Sequence, residues 1–318
     1  MSYSKERLIQ LRRRKKWRTI TTVVAVFLFC GVCIFSAYYP APSWQYYFMC
    51  PKVEPREEGE MRLHFLSVGQ GDCTLVEFPD GKTMLVDGGS PYGYGAKKVM
   101  RYLNALKIRK LDYVVVTGTE TGRCGALGEL AKYKKIGYAY HPQTATSGSP
   151  EYITFCSESG RKSTPASKAE RYLRVESETE ENYSFTFLLP YSNETAADSA
   201  LWIEWNGYGV LLFGGIDEET ETQLFSDARL GYFAEYGIDL QAQTTLVRMC
   251  NYGKATGITK EFYEYLSPQA VVTSCLQSVS FTPDDWAVPV SSEHYRTDLN
   301  GTVVATFTSE GLVVKTEK

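Results

Sequence analysis

Histidine is the scarcest side chain in this sequence of 318 residues. There are three, His64, His141 and His294, and long stretches of chain separate them. Imidazole is the commonest metal ligand in proteins and the usual general base near neutral pH. The spacing therefore excludes a metal site or a catalytic pair built from neighbouring histidines.

Other local signatures of chemistry are absent as well. The six cysteines beyond residue 40 contain no C-x-x-C pair, and no Ser/His/Asp arrangement is readable. The segment Gly69-Gln70-Gly71 lacks the lysine and the helix start of a phosphate-binding loop. No repeat recurs at a fixed period, which excludes solenoid and propeller architectures.

Charged residues are missing from the stretch that follows Arg18, and none occurs before Lys52. Within it, Ile20–Tyr39 is mostly apolar, and as a helix it would cross about 30 Å of hydrocarbon. Eight basic residues precede it, so the positive-inside rule predicts a cytoplasmic N-terminus. We therefore expect a basic cytoplasmic tail at residues 1–18 and an uncleaved transmembrane signal anchor at residues 19–40. A cleaved signal peptide is the alternative.

The segment after the apolar run is rich in proline and charge. Four prolines prevent a continuous helix there: Pro40, Pro42, Pro51 and Pro55. This composition predicts a stalk at residues 41–60 and an extracytoplasmic domain at residues 61–318. The predicted location is the cell membrane, crossed once, with the C-terminal domain extracellular.

Charge is distributed unevenly along the chain. The formal net charge is −3, of which residues 1–18 carry +7 and the other 300 residues −10. Binding to nucleic acid requires Lys and Arg spread over the contact face. The acidic body therefore argues against nucleic acid as a partner and favours a protein or a small-molecule ligand.

The apolar pattern predicts strands that first pair locally and then alternate with helices. Three short strands are expected at residues 62–68, 73–78 and 83–86, with a hairpin turn between the last two. A helix is expected at about 95–108, followed by a buried strand at 112–116. Further strands are expected at 184–189, 200–205, 209–213, 244–249, 270–274, 302–307 and 312–315, and helices at about 126–134, 217–230 and 259–266. This order is typical of an α/β or α+β sandwich.

Four segments in the outer domain occur in an order that resembles one protein family. They are Val68-Gly69-Gln70-Gly71-Asp72 followed by Asp87-Gly88-Gly89, then Leu111–Thr117, then Tyr208–Asp217, and finally Tyr295-Arg296-Thr297-Asp298 with Gly301. The combination resembles the metallo-β-lactamase fold, and within it the extracellular domain of the ComEC/Rec2 competence proteins. The resemblance covers about residues 62–315. It implies a four-layer αββα sandwich, preceded here by one N-terminal transmembrane helix.

The resemblance also implies a metal site at one edge of the sandwich. In the family, a His-x-His-x-Asp-His loop, a later histidine and a bridging aspartate hold one or two metal ions. The metal generates a hydroxide nucleophile near neutral pH. The three histidine positions of the loop correspond to Gly118, Glu120 and Arg123, and its aspartate position corresponds to Gly122. Only Glu120 among these could ligate a cation.

The remaining ligand positions of the family are replaced too. The bridging aspartate corresponds to Gly215, and a later pair of histidines corresponds to Asn251 and Tyr252. We therefore expect no metal, no other cofactor and no confident catalytic residue. The candidates for a degenerate pocket are Asp72, Asp87, Glu120, Arg123, Cys124, Cys250 and Asn251.

A rebuilt site is the alternative at this edge. The fold would bring Cys124 and Cys250 close to Glu120, which together would form a non-standard zinc site. Two buried thiols, or a disulfide formed outside the cytoplasm, are the other interpretations of the cysteines. For Asp72 and Asp87 we expect structural roles, bracing the glycine turns beside them.

These features predict a membrane-anchored, ComEC-like pseudoenzyme that has lost metal-dependent hydrolysis and binds a protein or a small molecule. The alternative is a divergent hydrolase, a nuclease or phosphodiesterase, with a non-standard site. A third hypothesis is a structural envelope component whose degenerate pocket is filled by packing.

Overall fold

The computed structural model describes the chain except for residues 1, 39–43, 93–94, 142–147, 160–162, 166–173, 180–181, 189–198, 254–258, 277–287 and 289–290. The chain divides into two units, Met1–Met49 and Cys50–Lys318. Residues 50–60, predicted as a stalk, are therefore grouped with the larger unit.

Helix α1, Ser2–Tyr38, dominates the N-terminal unit. Its segment Ile9–Ser36 is long and apolar enough to cross a membrane, and its large apolar side chains are exposed. The hydroxyls of Thr19 and Thr22 donate to carbonyls one turn earlier, which satisfies them within the helix. One N-terminal apolar helix thus precedes the folded unit, as predicted, and it suggests single-pass membrane anchoring.

The larger unit contains two mixed β-sheets among its described residues. In chain order the strands are β1 Met61–Phe65, β2 Thr74–Glu77, β3 Thr83–Val86, β4 Lys110–Val115, β5 Lys135–His141, β6 Ser163–Pro165, β7 Arg174–Glu176, β8 Ser184–Leu188, β9 Ala200–Trp205, β10 Tyr208–Phe213, β11 Thr244–Arg248, β12 Ala270–Thr273, β13 Glu293–Arg296, β14 Val303–Thr308 and β15 Gly311–Thr316. The first sheet has the order β15-β14-β1-β2-β3-β4-β5-β6, and the second has the order β13-β12-β11-β10-β9-β8-β7.

Helices pack on the outer faces of both sheets. In chain order the α-helices described in the larger unit are α2 Gly95–Ala105, α3 Thr121–Cys124, α4 Leu127–Tyr133, α5 Pro150–Ser159, α6 Glu218–Arg229, α7 Leu240–Gln243, α8 Lys260–Leu266 and α9 Thr297–Asn300. Tyr102 of α2 contacts the first sheet through His64. Leu224 of α6 and Phe262 of α8 pack on the outer face of the second sheet. The result is the four-layer αββα sandwich that the sequence predicted.

The core lies between the two sheets. Met61, Leu63 and Phe65 alternate along β1 and all face it, where they join residues of the second sheet such as Leu201 and Val210. Burying one such side chain contributes about 1.5–3 kcal/mol. Strands β10, β11 and β12 are parallel and buried along nearly their whole length, as expected for strands covered on both faces.

The common direction of several strands defines two opposite edges of the larger unit. Strands β1, β3, β4 and β5 run in the same direction, because β2 is antiparallel to both β1 and β3 while β3, β4 and β5 are parallel. The loops after these strands and after β10 and β11 collect at one end, which we call the site edge. The amino ends of β1, β3, β4 and β5 form the opposite edge.

The sequence pattern misses strand β5 altogether. Its residue Gly137 interrupts the apolar pattern, and a Cβ there would come close to the Asp112 carbonyl of β4. Glycine in a strand weakens the sequence signal but permits this close backbone approach. The first predicted strand also ends earlier than expected, at Phe65, because Leu66–Ser67 already lead into the turn before Asp72.

His64 of β1 is fully buried beneath α2. Its Nδ1 lies 2.9 Å from the Tyr102 hydroxyl and its Nε2 lies 2.7 Å from Oε2 of Glu77. Burial lowers the pKa of His64, and the bond to Glu77 opposes that shift. The imidazole therefore joins helix and sheet in its neutral form.

We predict that lowering the pH from about 7 to about 5.5 reduces the free energy of unfolding through His64. Because its pKa is lowered in the folded protein, only the unfolded chain takes up this proton just below about pH 6.5. The stabilisation is complete above that pH and declines as the pH falls. Chemical denaturation at both pH values measures it, and the control His64→Gln should show the smaller pH dependence. Equal dependence in both proteins would contradict the prediction.

Candidate functional site

The site edge brings together loops from both sheets. Asp72 follows β1, Asp87 follows β3, and the segment from Glu120 to Cys124 follows β4. Cys250 and Asn251 follow β11. All seven residues that the sequence selected are therefore on one edge of the sandwich, although the segments that carry them are far apart in the chain.

Glycines allow these loops to touch backbone to backbone. A Cβ at Gly71 would overlap the Gly122 carbonyl, and a Cβ at Gly125 would overlap Ser90 and Pro91. The close approach is used by hydrogen bonds: the amide of Asp72 donates to the Gly122 carbonyl at 3.1 Å. The backbones of these loops therefore pack against one another and form the base of the site, which we call the floor.

Arg248, the last residue of β11, connects the two sheets beneath that floor. Its side chain is fully buried, and its Nη2 donates to Oδ2 of Asp87 at 2.8 Å and to the Phe213 carbonyl at 2.9 Å. Its Nη1 donates to Thr74 at 3.2 Å, and its Nε lies 3.7 Å from Oδ1 of Asp72. One guanidinium group thus contacts both buried carboxylates and both sheets.

Asp87 is the main partner of Arg248 and also holds the end of β4. It accepts hydrogen bonds from the backbone amide and the hydroxyl of Thr117, each at 2.7 Å. Its backbone adopts the left-handed conformation, with φ of 63°. A carboxylate with two donors and an arginine has no side left open to a substrate.

Arg123, which the resemblance matches to a histidine ligand of the family, is the second buried cation. Its Nε is 3.2 Å from Oδ2 of Asp72, and its Nη1 forms an ion pair with Glu120. Burial raises the pKa of the Asp72 carboxyl, while the charges of Arg248 and Arg123 oppose that shift. Glu120, with 41% of its side chain exposed, is the carboxylate of the group that reaches solvent.

Tyr252 covers Arg123 from the opposite loop. The guanidinium carbon lies 5.2 Å from the centre of the ring, and the Tyr252 hydroxyl donates to Glu120 at 3.4 Å. A Cβ at Gly122 would overlap this hydroxyl. The Tyr252 hydroxyl therefore occupies the space that a side chain at position 122, which the resemblance matches to the family's aspartate, would fill. Asn251 and Tyr252 both have left-handed backbones, and Asn251 donates to the Ile216 carbonyl at 3.0 Å.

The thiols of the two cysteines at the site edge donate to carbonyls of different loops. The thiol of Cys124 donates to the Gly118 carbonyl at 3.4 Å, and that of Cys250 donates to the Gly214 carbonyl at 3.1 Å. Burial raises the pKa of Cys124, which disfavours the thiolate that zinc requires. Both cysteines are free thiols rather than a disulfide.

Comparison with known proteins agrees with this architecture. The family described as the metallo-beta-lactamase superfamily matches residues 66–221, which include the loops after β1, β3, β4 and β10. The larger unit has the metallo-β-lactamase fold. ComE operon protein 3 of Bacillus subtilis (strain 168) is 21% identical over 275 residues, which cover 79% of this chain and 34% of that protein. This relative supports the ComEC-like resemblance, and the chain spans about a third of its length.

Two solved structures are similar to this metallo-β-lactamase domain at low identity. The metallo-beta-lactamase fold protein YhfI from Bacillus subtilis is 13% identical, with a TM-score of 0.48, and the match covers 74% of this chain and 96% of that one. CmlA, a diiron beta-hydroxylase from Streptomyces venezuelae, is 11% identical, with a TM-score of 0.45 and coverage of 80% and 55%.

The side chains of this metallo-β-lactamase domain do not fit the family's metal ions. Within the described part of the chain, no group of three His, Cys, Asp or Glu side chains is placed to hold one. Asp72 and Asp87 already face Arg123 and Arg248, which carry permanent charge. Two like unit charges about 4 Å apart repel by about 4 kcal/mol near a protein surface, and a divalent ion would double that. No step of chemistry is therefore derived through a metal.

Sequence reasoning missed Arg248 and the role of Tyr252. Arg248 ends the otherwise apolar strand β11, and a charged residue at the end of a buried strand is the signal that could have identified it. Tyr252 could not be recognised, because its contact with Arg123 depends on the left-handed turn at Asn251.

We predict that Arg248→Met lowers the free energy of unfolding by about 3–5 kcal/mol, because it leaves buried carboxylates without their cation. Denaturation of the full chain in detergent, followed by tryptophan fluorescence, measures the change. Arg248→Lys keeps the charge but not the forked geometry and should fall between parent and Arg248→Met. The exposed control Arg109→Leu should change stability by less than about 1 kcal/mol. Parent-like stability of Arg248→Met would show that the cluster does not support the fold.

Proposed function

We propose that this protein is a membrane-anchored pseudoenzyme with a ComEC-like metallo-β-lactamase fold, which has lost metal-dependent hydrolysis and acts by binding a protein or a small molecule. The observation that carries the proposal is the buried cluster of Asp72, Asp87, Arg123 and Arg248. Two arginines supply there the positive charge that metal ions supply in the family.

The buried charges of the cluster form ion pairs with one another. Arg248 contacts Asp87 and Asp72, and Arg123 contacts Asp72 and Glu120. A hydrolytic site needs an activated water molecule and a charged group that is available to bind the substrate. Here the charges form ion pairs inside the protein, which favours a supporting role for them.

Exposed groups at the site edge favour binding. Tyr92 and Leu276 are largely exposed, and Gln70 accepts a hydrogen bond from the Leu276 amide at 3.2 Å. Aromatic and aliphatic side chains above a rigid polar floor are typical of contact surfaces for proteins and small molecules. Glu120 adds one solvent-facing carboxylate to this surface.

The proposed location follows from α1 and from the charges before it. An apolar segment, Ile9–Ser36, is preceded and partly overlapped by the basic tail, which carries +7 over residues 1–18. The positive-inside rule keeps this tail in the cytoplasm and exports the domain. We therefore propose a single-pass protein of the cell membrane with an extracellular metallo-β-lactamase domain.

We predict that the full chain, purified in detergent and offered excess zinc and manganese before desalting, retains less than about 0.1 metal ion per chain. The fixed charges of Arg123 and Arg248 exclude the ions. Elemental analysis by mass spectrometry measures the content. The Arg123→His variant, which removes one fixed charge and restores one imidazole, is the matched control and should retain more zinc than the parent. About one ion per parent chain, with hydrolysis of a phosphodiester, would replace this proposal by the divergent hydrolase.

A further inference from the structure

A basic segment lies on the outside of an otherwise acidic domain. Residues 95–110, which form α2 and the turn into β4, contain six basic side chains and no acidic one. Residues 19–318 as a whole carry −10, so this segment opposes the charge of the domain. Net charge therefore hides a local region of opposite sign.

Five exposed basic side chains form a continuous surface at the opposite edge of the first sheet. We call it the basic face, and it consists of Lys107, Arg109, Lys110, Lys132 and Lys135. Lys110 and Lys135 are direct partners where β4 and β5 begin, and the Lys135 amide donates to the Arg109 carbonyl at 3.2 Å. Asp112 pairs with Lys110 at 2.6 Å and Glu129 with Lys132 at 3.8 Å, so the surface keeps a positive excess.

The chain enters the domain beside this basic face. Lys134 is buried behind it and donates to Asn104 at 2.5 Å and to the Ile108 carbonyl at 2.6 Å. Burial lowers the pKa of Lys134 to about 8, and the nearby Cys50 acts in the other direction. Cys50, the first residue of the larger unit, is thus close enough to Lys134 to influence its pKa.

Strand direction also places the start of β1 at the edge that carries the basic face. The chain enters β1 at Met61, and the amino end of β1 lies on the same edge as the amino ends of β4 and β5. The site edge is at the other end of these strands. Eleven residues separate Cys50 from the end of α1 at Tyr38, and this connection can span at most about 40 Å.

We propose that the basic face binds anionic phospholipid headgroups of the membrane. Clusters of Lys and Arg at a membrane surface attract anionic, phosphate-bearing headgroups electrostatically. The inference rests on the membrane anchoring proposed above, but not on the loss of hydrolysis.

The acidic residues of the connecting segment do not cancel this attraction. Glu54 pairs with Lys315 at 3.2 Å and Glu60 with Arg62 at 3.3 Å, while Glu57 and Glu58 remain exposed. Screening limits each charge to a range of about 8–10 Å at physiological salt. A headgroup therefore responds to the face in front of it and not to the net charge of the domain.

Nucleic acid offers the same phosphate chemistry, but the tether favours lipid. A surface held within reach of the bilayer meets headgroups at a high effective concentration, whereas a free polymer must be captured from solution. The acidic remainder of the domain also repels a long polyanion more than it repels a flat surface on one side.

The test uses the full chain in two kinds of lipid nanodisc, one of phosphatidylcholine and one with about 30% phosphatidylglycerol. Acetylation of lysines, read by mass spectrometry, reports which side chains are covered. We expect Lys107, Lys110, Lys132 and Lys135 to react at least about threefold more slowly in the anionic discs, and to recover in about 0.5 M salt. Lys260, exposed on α8, is the internal control and should react equally in both.

Two variants of equal charge change separate the face from general electrostatics. Lys107→Glu with Arg109→Glu should abolish the lipid-dependent protection of Lys110, Lys132 and Lys135. Lys260→Glu with Lys318→Glu changes the net charge by the same amount elsewhere and should leave that protection intact. Circular dichroism of both variants verifies that they are folded.

Three results would overturn the inference. Equal reactivity of the basic face in both discs would show that it does not bind anionic lipid. Failure of the chain to enter discs at all would remove the anchoring on which the inference rests, without bearing on metal content. Protection by a single-stranded oligonucleotide in phosphatidylcholine discs, equal to that by phosphatidylglycerol, would assign the face to nucleic acid.

Discussion

The buried arrangement of Arg248 between Asp87 and Asp72 is the constraint on which the site edge depends. It joins the end of β11 to the loops after β1 and β3, and its bond to the Phe213 carbonyl adds β10. Removing charges from water costs several kcal/mol per ion, which is offset only when geometry and hydrogen bonding are good. The loops are therefore held in the one arrangement that pairs every charge. A fold that usually positions metal ligands here positions guanidinium groups instead.

The replacement of metal by arginine has consequences for the neighbouring loops. Arg123 needs an aromatic cover and a solvent-side carboxylate, which Tyr252 and Glu120 supply. Tyr252 in turn needs space, which Gly122 provides. The substitutions at the family's ligand positions thus form one mutually dependent set.

The two opposite edges of the first sheet carry different features. Loops that form the candidate site lie at the carboxyl ends of β1, β3 and β4, and the chain from α1 arrives at their amino ends. The basic face lies at that same end, near Cys50. Strand direction therefore places the candidate site and the basic face at opposite ends of the first sheet, about the length of a strand apart.

The sequence by itself determined the apolar N-terminal helix, the sandwich class and the degenerate form of the family's metal-binding motifs, because these depend on composition, periodicity and short motifs. It did not determine Arg248 as the centre of the site, Tyr252 as the cover of Arg123, or the basic face. Those depend on contacts between segments far apart in the chain, such as Arg248 with Asp87. Net charge also averages over the whole surface, so a local excess of lysine becomes visible only when strand direction places its members together. Tertiary structure decided these features because ion pairs and surfaces are properties of distance in space, not of distance along the chain.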